Sequence, residues 1–213
     1  MHATQVALTC IDGRDSHEAL RWLLSDFVEA TLAYSQLAAQ TIKGAEMPPP
    51  EILTFNWSGK APDNTTSTQT LQTCDCLVVG CTNQDMQTAF DATNRQFASL
   101  LEQLPPHARV YTICSTDGPD PTLATPYLAS LARIAQERWM GGVAIGGAEF
   151  TAYLAHQPRM GILRRPISET LDTLIAAVRS QTTLKGQADS HLLYAHPGIP
   201  KVLWGLACKL LLS

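Results

Sequence analysis

Basic clusters, long apolar runs and paired cysteine motifs are all missing from this chain, and each absence excludes a class of function. Lys and Arg number 15 against 19 Asp and Glu, a formal net charge of -4, and the only adjacent pair is Arg164-Arg165. A groove that tracks nucleic-acid phosphates needs a basic stripe, so nucleic acid is not an expected partner. No stretch reaches the roughly 18–20 apolar residues of a membrane span, so none is expected. The start, Met1-His2-Ala3-Thr4-Gln5, has no basic region leading into an apolar core, which makes the expected location cytoplasmic. Six cysteines occur without a CxxC or CxxH pair, so neither a zinc site nor a disulfide framework is indicated. Cys74 and Cys76, on one strand, would share a face with no second pair to complete four ligands. They read as small buried hydrophobes.

What remains is an ordinary globular composition: 213 residues, 45% hydrophobic and 16% charged, enough for a sizeable core. Short apolar runs at residues 6–11, 52–55, 76–81, 109–114 and 139–145 read as strands buried on both faces. Helical periodicity lies between them. Asp15 and Glu18 form a capping box ahead of Leu20, Leu23, Leu24, Phe27 and Val28, in a helix that runs to about Gly44. Met47-Pro48-Pro49-Pro50 cannot be helical. Residues 57–73 read as a long polar loop. Phe90, Phe97, Leu100, Leu101 and Leu104 mark the next helix, and Asp120-Pro121 is a cap followed by proline at the first helical position. A closing helix starts at Pro166 with Leu171, Leu174, Ile175 and Val178.

Strands alternating with helices imply crossovers, a parallel sheet and helices on both faces. The expected fold is α/β: a flavodoxin-like, three-layer, doubly wound five-stranded sheet of order 2-1-3-4-5, with a crevice outside the carboxyl ends of the first and third strands. The loops at that end are Asp12-Gly13-Arg14-Asp15-Ser16-His17, Gly80-Cys81-Thr82-Asn83-Gln84-Asp85 and Cys114-Ser115-Thr116-Asp117-Gly118-Pro119. The first runs into a helix N-terminus that can hold a phosphate, with Gly13 for the turn and Arg14, Ser16 and His17 as donors. Capping by Asp15 competes for the same backbone donors. Trp57 and Phe150 are the aromatic candidates for stacking on a flat ligand. Cys10, Cys81 and Cys114 end neighbouring strands, which brings them together as a thiol site or buries them as small residues. A phosphoacceptor receiver would need Asp and Lys where Cys81 and Gly146 stand. No Ser-His-acid set is assignable by spacing.

At the fifth strand, Trp139-Met140-Gly141-Gly142-Val143-Ala144-Ile145-Gly146-Gly147-Ala148-Glu149 resembles the corresponding segment of bacterial flavodoxin-like NAD(P)H-dependent oxidoreductases, the FMN reductase-like proteins. The 114–119 loop is similar to theirs in place and order, and Pro197-Gly198-Ile199-Pro200-Lys201-Val202-Leu203-Trp204 resembles their tail. The likeness runs from about Leu77 onward. It implies FMN as cofactor, NAD(P)H as electron donor, and a quinone, free flavin or similar small molecule as acceptor. It also implies a cofactor site of Gly13, Arg14, Ser16 and His17 in the first loop, Cys81, Thr82 and Asn83 in the third, Ser115, Thr116, Asp117 and Gly118 in the fourth, and Gly146 and Gly147 in the fifth. The chain departs from the family in a shorter first loop with two carboxylates and in a third loop without Pro or an aromatic. Those departures motivate an alternative expectation, a member that has lost FMN and serves as a binding or oligomerisation module. The expected organisation is one domain over residues 1–185 and an amphipathic tail over 186–213. In that tail Ile199, Val202, Leu203, Leu206 and Leu210 repeat at helical spacing, packed on the domain or on a partner in a homo-oligomer.

Overall fold

The structure is a computed structural model that describes residues 3–11, 18–41, 48–57, 69, 71–84, 89–186 and 191–211. The capping residue Asp15 and the loop donors Gly13, Arg14, Ser16 and His17 lie outside the described residues.

Six parallel strands form one sheet of order β2-β1-β3-β4-β5-β6. They are β1 (Gln5–Cys10), β2 (Glu51–Asn56), β3 (Cys76–Thr82), β4 (Arg109–Ser115), β5 (Trp139–Ile145) and β6 (Leu192–Ala195). The helices are α1 (Glu18–Thr41), α2 (Phe90–Glu102), α3 (Thr125–Ala135), α4 (Thr151–Ala155), α5 (Arg165–Ser180) and α6 (Trp204–Leu211). Strand periodicity explains the three layers. Val6, Leu8 and Val78 point into one core with Leu20, Phe27, Leu171 and Ile175 of α1 and α5. Ala7, Leu77 and Val79 point into the other, with Phe97, Leu100, Leu128 and Leu131 of α2 and α3. Every residue of β3 is buried, as its uninterrupted apolar run requires in a central parallel strand. Asp120 caps the turn 121–124 that leads into α3, its carboxylate accepting from Thr122 N–H at 3.2 Å.

The expectation of five strands is corrected to six. Strand β6 falls inside the segment read as an amphipathic tail, and four residues are too few to carry a strand signature. Its place depends on a close approach across the sheet. Gly141 has φ +128°, and a Cβ there would sit 2.5 Å from the His191 carbonyl oxygen.

The tail stripe divides between core and surface. Ile199 is buried, but Val202, Leu203, Leu206 and Leu210 face outward, Val202 at 91% exposure, and the side of α6 packed on the domain is that of Trp204. Helical spacing shows which residues share a face. It does not show which face turns inward.

Cys74, Cys76, Cys81 and Cys114 are buried, as the reading of them as small hydrophobes expects, but the shared face and the thiol cluster are not found. Cys74 precedes β3 and joins the core under α2 and α3, while Cys76 points into the core under α1 and α5. They lie on opposite sides of the sheet. Burial pushes both thiols up to about 12, with the Asp75 charge adding to it. Cys81 pairs with Cys114 in register, whereas Cys10 pairs with Gly80, one residue out of phase. Cys10 therefore faces α1 and the other two face α2 and α3, so the sheet itself separates the proposed trio.

Candidate functional site

The sheet order puts β1 between β2 and β3, so helices leaving β1 and β3 go to opposite faces and a crevice opens at their carboxyl ends. That crevice has a volume of about 220 Å³. Its walls are Thr82 at the end of β3 with Asn83 and Gln84 after it, Ser115 at the end of β4 with Asp117 beyond, Ala148 and Glu149 after β5, and Glu18 and Ala19 at the start of α1. Thr82 and Ser115 are register partners at the ends of β3 and β4, which sets their hydroxyls side by side on the sheet rim. Thr82, Asn83 and Ser115 are buried. The Gln84 side-chain amide donates to the Asp117 carboxylate and closes the outer edge.

Behind the crevice, the backbone of the fourth and fifth loops is locked. Thr116 N–H donates to Ile145 C=O at 2.8 Å, and Ala148 N–H returns to Thr116 C=O at 3.1 Å. Gly147 N–H donates to Gly118 C=O at 2.9 Å, and Gly146 N–H donates to Ala195 C=O of β6 at 2.8 Å. Glu149 then joins three elements: one carboxylate oxygen accepts from Gly118 N–H at 3.1 Å, the other from the Trp204 indole N–H at 2.9 Å. Glu149 thereby fixes the fourth loop against α6.

No protein-family model matches the chain, and no curated protein matches it either.

Of the residues implied as cofactor ligands, Thr82, Asn83, Ser115 and Asp117 come together in the crevice. Thr116, Gly118, Gly146 and Gly147 stand behind it, with their amide hydrogens already engaged. Cys81 is buried in the core under α2 and α3. Gly147 has φ +81°, and a Cβ there would lie 2.8 Å from the Pro197 ring, so this glycine permits the tail to close over the fifth loop. Neither aromatic candidate reaches the crevice. Trp57 is buried, its indole N–H donating to Gln96 C=O at 3.1 Å, and Phe150 is buried edge-on to Trp204 at 5.0 Å between ring centroids. Gln84 and Ala148 were not singled out as ligands from sequence. Their position directly after strand ends was the available signal.

A larger groove, about 470 Å³, lies between α1 and the β1–β2 edge, with Leu8, Leu24, Val28 and Phe55 as apolar walls and Arg21 as the one charged side chain among its described walls. The smaller crevice is the better candidate, because hydroxyl, amide and carboxylate groups converge there from four elements. Among the described residues no group of three His, Cys, Asp or Glu is placed to hold a metal ion.

The described walls combine hydroxyl and amide side chains, which both donate and accept, with the carboxylates of Glu18, Asp117 and Glu149. At about 220 Å³ the crevice is smaller than the usual ligand site of about 300–1,000 Å³.

Proposed function

We propose that the chain is an FMN-dependent NAD(P)H oxidoreductase that passes electrons to a quinone, flavin or similar small acceptor. The carrying observation is the convergence of Thr82, Asn83, Gln84 and Ser115 at the switch point of a parallel sheet. Bound FMN would supply hydride acceptance and onward electron transfer, while the protein binds and orients it. Asn83 and Ser115 would hold the ring edge, and the engaged backbone behind them keeps those side chains in position. Lack of an acid–base pair is consistent with this division of labour. A cytoplasmic setting, with access to NAD(P)H, is what the proposal requires.

Titration of the purified protein with FMN, followed by absorbance, tests it. Micromolar uptake and bleaching on addition of NADH or NADPH are expected. Asn83→Ala or Ser115→Ala should weaken binding about fivefold each, the worth of one hydrogen bond of about 1 kcal/mol. No flavin uptake at micromolar FMN sinks the proposal.

A second reading is a binding module without flavin. It is favoured by the three carboxylates at the crevice, Glu18, Asp117 and Glu149, and by the engaged amides of Thr116, Gly118, Gly146 and Gly147, which cannot also donate to an anionic cofactor. Failure of flavin uptake selects it.

A further inference from the structure

The last helix gives one fully packed side chain to the domain, and that side chain goes to the fifth loop. Helix α6 is eight residues long, and no helix among the described residues is long and apolar enough to cross a membrane. Trp204 is its one buried residue, with Ala207, Cys208 and Leu211 partly buried beside it. The Trp204 ring stands edge-on to Phe150 at 5.0 Å between centroids, and a Cβ on Gly147 would lie 3.1 Å from its far edge. Its indole N–H donates to the Glu149 carboxylate at 2.9 Å.

That bond reaches the crevice, although Trp204 is not one of its walls. Glu149 is a wall, and its second carboxylate oxygen accepts from Gly118 N–H at 3.1 Å, directly after the wall residue Asp117. The fourth loop is tied to the fifth by backbone bonds at Thr116 N–H and C=O and at Gly118 C=O, whereas Gly118 N–H is held through Glu149. Bonds to a carboxylate are stronger than those between neutral groups, and a carboxylate held at both oxygens has one orientation. Released on the Trp204 side, it is free to turn into the crevice and let go of Gly118. A side chain outside the crevice thus sets the orientation of one wall and the backbone beside another.

We propose that Trp204 is a positioning residue for the crevice: by holding Glu149 it sets the Glu149 and Asp117 walls, so that ligand affinity there depends on α6 being docked. The affinity readout of this proposal rests on the crevice being an FMN site. Its hydrogen-exchange readout does not.

Two substitutions in the full chain test it. Trp204→Phe keeps a ring against Phe150 and removes the N–H, and Glu149→Gln keeps the side chain's size and removes its charge. In FMN titration Trp204→Phe should lower affinity roughly tenfold, the worth of one hydrogen bond to a charged group. Because Trp204 acts through Glu149, the double variant should bind no more weakly than Glu149→Gln alone, a non-additivity that a separate stabilising role would not produce. Without ligand, Trp204→Phe should speed hydrogen exchange in residues 116–118 and leave β3 and α1 as in the parent protein. Unchanged FMN affinity in Trp204→Phe, additive effects of the two substitutions, or exchange that is unchanged at 116–118 or faster evenly across the sheet overturns the positioning role. A parent protein that takes up no FMN overturns the flavin reading instead, and exchange at 116–118 then decides the positioning role. Should Trp204→Phe fail to fold, Glu149→Gln carries the same exchange comparison, with unchanged exchange at 116–118 as the overturning result.

Discussion

Asp26 shows how single residues fasten this fold. It is 4% exposed on α1, and its Oδ1 receives Nη1 of Arg159 at 2.5 Å and Nη2 of Arg164 at 2.6 Å. Arg164 also donates to Gln157 C=O at 2.8 Å and stacks over the Trp22 ring at 5.0 Å. One carboxylate thereby ties α1 to the segment between α4 and α5, on the side of the sheet opposite α2 and α3. Arg164, 9% exposed, would be left without its anion while Arg159, 26% exposed, keeps Asp172, so Asp26→Ala is expected to destabilise the protein by about 3 kcal/mol in urea unfolding. A loss under about 1 kcal/mol would show that the pair merely offsets its own desolvation. Asp26 is not distinguishable by sequence from any other polar residue of α1, because its partners lie 133 and 138 positions away.

Elements meet at two glycines that behave differently although both have positive φ. Gly118, at φ +73°, has open space where a Cβ would go, whereas Gly147, at φ +81°, faces the Pro197 ring and Trp204. Gly118→Ala should therefore cost only the left-handed backbone penalty, about 1–2 kcal/mol. Gly147→Ala carries the same penalty and must also displace the chain that leads into α6. A lower melting temperature is expected for Gly147→Ala than for Gly118→Ala, together with faster proteolysis after residue 195. Equal melting temperatures would refute the packing role. The double glycine was legible in sequence as part of a family-like segment, but its partner, the tail, was not.

Across the whole molecule, buried acids govern the response to alkali. The thiols of Cys74 and Cys76 are raised to about 12 by burial, and the Tyr111 hydroxyl is raised as well, chiefly by burial, while donating to Ala177 C=O at 3.1 Å and Thr182 C=O at 3.0 Å. In the unfolded chain these thiols lose their protons near 9; in the folded one they keep them to about 12. The folded state then binds more protons, so stability is fully present below pH 9 and falls as pH rises through that window. Urea midpoints measured from pH 8 to 11 should decline, and the decline should flatten in the Cys74→Ala, Cys76→Ala variant. A slope identical to that of the parent protein would count against burial as its source.

Legible along the chain were the alternation of strands and helices, the parallel order of the first five strands, the Asp120-Pro121 cap and the end of the sheet at which polar loops gather. Each of these follows from local periodicity, or from turn and cap chemistry within a few residues. The rest came from contacts between distant parts of the chain: β6, the division of Cys10 from Cys81 and Cys114, the burial of Trp57, the engagement of the loop amides and the outward face of α6. These depend on register between distant strands and on the approach of backbones such as Gly141 to His191, where the interacting groups are neighbours in space but not in the chain.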